Sequence, residues 1–72
     1  MPTMHPVDSS NVAAIGYDAR EAKLYVDFLN GSSYVYLDVP RQVFQDFMAA
    51  PSKGHFLFTA IKQGGYTYQR LI

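Results

Sequence analysis

The chain has 72 residues, of which 49% are hydrophobic and 15% aromatic. Its length fits one small domain, which buries only about 60% of the surface its unfolded form exposes, so six Tyr and five Phe must carry much of the core. The absence of cysteine excludes a disulfide framework and a thiolate metal site. Six basic residues against six acidic ones remove the charge excess that usually accompanies phosphate binding.

There is no run of about 18 apolar residues, and the first residues lack a signal-peptide pattern, so no membrane contact and a cytoplasmic location are expected. Residues 1–7 carry two prolines and no periodicity, and read as a flexible leader to a single domain over 8–72. Val12 to Tyr17 reads as a first strand and Asp18 to Ala22 as a turn. From Lys23 to Phe28 the pattern alternates: Leu24, Val26 and Phe28 point one way, Lys23, Tyr25 and Asp27 the other.

Asn30-Gly31 is the strongest turn signal, because both central positions of a type I′ turn need positive φ. It predicts a hairpin into a third strand over Tyr34 to Val39. Pro40 then suits the first position of a helix, where its missing N–H costs nothing, with Asp38 placed to meet the orphan donors of the first turn. In that helix Val43, Phe44, Phe47 and Met48 form one apolar stripe. Pro51 ends it, and Ser52 is placed to cap a second helix, in which Phe56, Leu57, Ala60 and Ile61 form the stripe. Gly64-Gly65 closes that helix, and Tyr66 to Leu71 alternates as a last strand. The fold class is α+β: a small antiparallel sheet in the order β-β-β-α-α-β, with two short helices packed on one face.

Six motifs then fall in register: Ser9-Ser10, Ile15-Gly16-Tyr17-Asp18, Tyr34-Val35-Tyr36, Asp38-Val39-Pro40, Ser52-Lys53-Gly54 and Tyr66-Thr67-Tyr68. In order and spacing they resemble the KTSC domain, over about residues 7 to 72. That family includes the C-terminus of some lysyl-tRNA synthetases and small bacterial or phage-type proteins. The resemblance implies RNA binding through its occurrence in synthetases, and it implies a fold more firmly than an activity. Phe56-Leu57-Phe58 stands where the family usually shows an aromatic pair followed by Asn.

Tyr34 and Tyr36 share one strand face, as either a stacking platform or part of the core. Tyr66 and Tyr68 repeat the spacing beside Arg70, an interleaving of rings and guanidinium that single-stranded RNA sites use, although strand propensity alone also produces it. Arg41, Lys53, Lys62 and Arg70 are the candidate phosphate contacts. If the Tyr face is core, Tyr25, Val35 and Leu37 stand on the other face as an apolar surface for a protein partner or a second copy. Phe58 lies about 200° around the helix from Phe56, off the stripe, and burial against the last strand is favoured over exposure.

Ser52-Lys53-Gly54-His55 reads as a cap and first turn rather than a site, and no phosphate-binding glycine loop is present. Ser9-Ser10 has no base beside it and is expected to bond backbone at the start of the first strand. No His, Asp or Glu spacing suggests a metal, and no carboxylate pair converges for acid–base work. The sequence therefore points to a non-catalytic binding module without cofactor, for RNA or tRNA, with protein interaction or self-association as the alternative.

Overall fold

Period-two alternation over Lys23–Phe28 (β3) makes the central strand of a sheet, because each apolar residue there finds a cross-strand partner on the same face. Val12–Asp18 (β2) lies on one side of it and Ser33–Tyr36 (β4) on the other. The computed structural model describes residues 2–72. Two further strands, His5–Pro6 (β1) and Tyr68–Arg70 (β5), complete an antiparallel sheet in the order β1-β2-β3-β4-β5. The chain crosses from β4 to β5 through Arg41–Ala49 (α1) and a second helix (α2), which is α-helical over Lys53–Phe56 and π-helical over Leu57–Lys62.

The architecture is the α+β sheet with two helices read from the sequence, with one strand more at its start. Part of the leader forms that strand: His5 pairs with Ile15 and Pro6 with Ala14. Residues 2–4 continue across Gly16, where an added Cβ would lie 2.5 Å from Met4 Sδ and 2.8 Å from the Thr3 carbonyl. The missing side chain at 16 is what lets the leader approach the sheet.

The β3–β4 hairpin forms, but not through a type I′ turn. The Gly31 N–H donates to Phe28 O at 3.0 Å and only Gly31 is left-handed, at φ 92°, so the loop has three residues, Leu29-Asn30-Gly31. Asn30 Oδ1 fixes its exit by accepting from the Ser32 N–H at 3.0 Å and the Ser32 hydroxyl at 2.6 Å.

Asp38 does not act at the start of α1. It is exposed at φ 55°, Pro40 precedes the helix in extended conformation, and no side chain caps the N-terminus. The chain has to reverse between β4 and α1, and Asp tolerates the left-handed region better than most residues. Backbone bonds fix this reversal: Leu37 N–H to Thr67 O and Val39 N–H to Ala22 O. Ser52 does cap α2, accepting from the His55 N–H at 3.2 Å, and Ser9 Oγ accepts from the Val12 N–H at 3.2 Å at the start of β2.

The core lies between the helices and one sheet face. Ile15, Leu24, Val26 and Tyr36 come from the sheet, Phe47, Leu57 and Ile61 from the helices, and Val12 and Val39 from the flanks. Phe47 and Phe56 stack with centroids 5.2 Å apart, which locks α1 to α2. At the β1 end Tyr17 stacks on Phe44, also at 5.2 Å, and its hydroxyl donates to Val39 O at 2.5 Å.

Phe47 is fully buried and Phe58 is 56% exposed, so the two rings separate packing from surface. Phe47→Ala is expected to cost about 3–5 kcal/mol and Phe58→Ala less than about 0.5 kcal/mol. Urea unfolding followed by circular dichroism measures both.

Candidate nucleic-acid interface

The alternation of β4 sets Tyr34 and Tyr36 on the helix-facing side of the sheet, and antiparallel register brings Arg70 opposite Tyr34 and Tyr68 opposite Tyr36. The helices cover this corner only at Tyr36, which packs in the core with Leu57 and Ile61. Three rings form a triangle there, with centroids 6.5 Å apart for Tyr34–Tyr36, 6.0 Å for Tyr34–Tyr68 and 5.8 Å for Tyr36–Tyr68. Across from them the end of α2 supplies Ile61 and Lys62, and the turn through Gly65, left-handed at φ 79°, swings Tyr66 back over the gap.

The result is a cleft of roughly 380 Å³, closed at one end by Phe28, Asn30 and Ser32. No carboxylate lines it. No protein group among the described residues bonds the hydroxyls of Tyr34, Tyr36, Tyr66 or Tyr68, and no buried polar side-chain atom lacks a partner, so all four reach solvent. The site thus offers ring faces, phenol donors and one lysine ammonium. Such a set suits a planar group attached to an anionic backbone.

The two readings of the Tyr pair are both realised, ring by ring. Tyr36 is core, at 4% exposure, Tyr34 is half-buried, and Tyr68 stands 60% exposed at the mouth. Phe28, Asn30, Ser32 and Ile61 also line the cleft and are not among the site residues expected from sequence. Phe28 carries a signal, since it continues the Leu24 and Val26 face of β3, and its ring meets Tyr34 edge-on at 5.7 Å.

The four candidate cations do not converge. Lys62 lines the cleft, and Arg70 lies on the same face of the neighbouring strand, its Nε donating to Ile72 O at 2.8 Å. Lys53 is committed to the corner between the helices, where Nζ donates to Ala50 O at 2.5 Å. Arg41 stands at the opposite end of the sheet, in a hollow shared with His5, Asp18 and Phe44. One-dimensional spacing could not separate these four, because strand register and helix rotation decide which face each one joins.

The surface expected on the other face is largely closed. Val35 is 4% exposed, flanked by Tyr25 on β3 and Gln69 on β5, and Tyr25 and Leu37 are half-buried. Val35 therefore offers no free surface. Phe58, for which burial was favoured, is exposed instead, because Leu57 and Ile61 take the core-facing positions of α2. Among the described residues no group of three or more His, Asp or Glu is gathered as metal ligands, and no helix is long and apolar enough to cross a membrane.

Burial raises the Tyr36 hydroxyl above the ordinary tyrosine value of 10.0, and the neighbouring phenols of Tyr34 and Tyr68 add to the shift. A raised pKa in the fold means that the neutral form is the one the fold favours. Its stabilisation is complete below the unfolded value and is lost as pH rises through the folded value. Stability is therefore expected to fall above pH 10, less steeply in Tyr36→Phe, with one of the six tyrosines of the native domain ionising late. Phenolate absorbance against pH, paired with urea melts on either side of pH 10, measures this.

The chain as a whole is similar to known proteins. The model of the KTSC domain matches residues 8–68. A protein of Tsukamurella paurometabola is 44% identical over 59 residues, which span 82% of this chain and 88% of that one. A lysine–tRNA ligase of a Nostoc strain is 34% identical over 70 residues; these cover 97% of this chain but only 12% of the ligase. The crystal structure of a KTSC domain protein from Yersinia pestis superimposes with a TM-score of 0.91 at 37% identity, over 100% of both chains. Together these establish that the chain belongs to the KTSC domain family.

Proposed function

We propose that this domain is a non-catalytic binding module that takes unpaired RNA, tRNA included, in the tyrosine cleft. The observation that carries the reading is the convergence of Tyr34, Tyr36, Tyr66 and Tyr68 with Lys62 around one acid-free gap. A base entering it would stack on Tyr68, the most open ring, with Tyr34 and Tyr66 as its walls and the phenol hydroxyls as hydrogen-bond donors. Lys62 and Arg70 would meet the adjoining phosphates. Similarity to a segment of a lysine–tRNA ligase supports RNA as the ligand class. The zero net charge implies modest affinity, with stacking contributing more than counterion release.

Among the described residues no clustered nucleophile, base and orienting acid supports a reaction, so recognition is the role assigned. Protein interaction through Tyr25, Val35, Leu37 and Phe58 is the weaker reading, since of these only Phe58 stands clear of the fold.

Amide shifts are to be followed by NMR during titration with total tRNA, at low and then at physiological salt. Shifts confined to β4, β5 and the end of α2, and reduced by salt, are the expected outcome. Tyr68→Ala is expected to weaken binding by about 1–3 kcal/mol, or about 5- to 150-fold, whereas Arg41→Ala leaves it within about twofold. Absence of shifts at low salt would overturn the reading.

A further inference from the structure

β5 is an outer strand of the sheet, and among the described residues the backbone polar groups of its far edge have no partner. The Leu71 N–H donates to Ser33 O at 2.7 Å and the Leu37 N–H to Thr67 O at 2.8 Å. Antiparallel bonding alternates, so 67, 69 and 71 turn their N–H and C=O groups toward β4, while Tyr68 and Arg70 turn theirs away. All three residues of β5 are exposed. The other sheet edge differs, because β1 has only two residues and Pro6 has no N–H to give.

We propose that two copies of this chain join edge to edge, β5 against β5 in antiparallel register centred on Gln69, extending the sheet across a two-fold axis. The sequence of the edge selects both the occupant and the register. In this register Tyr68 faces Arg70 of the other copy in both hydrogen-bonded pairs, so each guanidinium meets a ring rather than a like charge. Gln69 meets Gln69 on the outer face, and Thr67 meets Leu71, an apolar side chain that is 44% exposed in the single chain. Centring on Arg70 would set two guanidinium groups opposite each other. Centring on Tyr68 would leave only one hydrogen-bonded pair within the strand. So short an edge buries far less than a standard interface, which makes the dimer transient. Tyr68 and Arg70 keep their side chains on the cleft face, so the pairing sets two clefts side by side.

The pair 69–69 is of the non-hydrogen-bonded kind, with Cα atoms about 4.5 Å apart, within disulfide reach. The chain has no cysteine of its own, so single cysteine variants report the register directly. Under mild oxidant and without RNA, Gln69→Cys is expected to cross-link at least tenfold faster than Thr67→Cys on the same face. A mixture of Thr67→Cys with Leu71→Cys should form the mixed dimer. Sedimentation of the unmodified chain up to about 1 mM should show a rise toward dimer mass that Gln69→Lys, which sets like charges opposite, removes. Equal cross-linking rates at 67 and 69, or a constant monomer mass throughout, would overturn the proposal. Both readouts are independent of whether RNA binds.

Discussion

Everything in this domain depends on one packing constraint: a five-stranded sheet has one face to bury and only two short helices to bury it with. α1 has nine residues, or about 13 Å of helix, whereas five strands span about 19 Å. The helices lie over Ile15, Leu24 and Val26 and lock together through the Phe47–Phe56 stack. Beyond Tyr36, the β4–β5 corner is left without a roof. Tyrosine suits that corner, because its ring extends the core outward while its hydroxyl stays in water. The cleft is thus a consequence of incomplete coverage.

The same constraint explains the gradient along the Tyr cluster. Tyr36 lies under the end of α2 and has lost most of its solvent, which is why its hydroxyl resists ionisation. Tyr34 is one residue pair further from the helices, and Tyr68 sits on the outer strand, where only β4 supports it. The π-helical stretch of α2 ends across the cleft from these rings and brings Lys62 into its lining.

On the opposite face the chain solves a second problem with little material. Val35 would be an apolar residue facing water, but its cross-strand neighbours Tyr25 and Gln69 cover it. The leader covers Gly16, and together these contacts close the sheet without a second helical layer. What stays open is the backbone edge of β5, and an unpaired edge is a chemical property of the strand order rather than of any side chain.

The sequence by itself determined the local elements. Alternation marked β3 and the Tyr-x-Tyr strand, Pro51 and Ser52 marked the corner between the helices, Gly64-Gly65 marked the return to the last strand, and six short motifs pointed to the family. These are signals carried by residues close in the chain. Asn30-Gly31 marked the hairpin but not its turn type, and the proline-rich leader hid a two-residue strand that exists only because Ile15 and Ala14 present an edge to it. Tertiary structure alone decided which of two equally spaced tyrosines is core, which of four cations stands beside them, and that Val35 is covered while Phe58 is not. Each of those outcomes depends on where a helix stops above the sheet and on which strand β5 pairs with. Both are set by contacts between residues far apart in the chain, which no local pattern encodes.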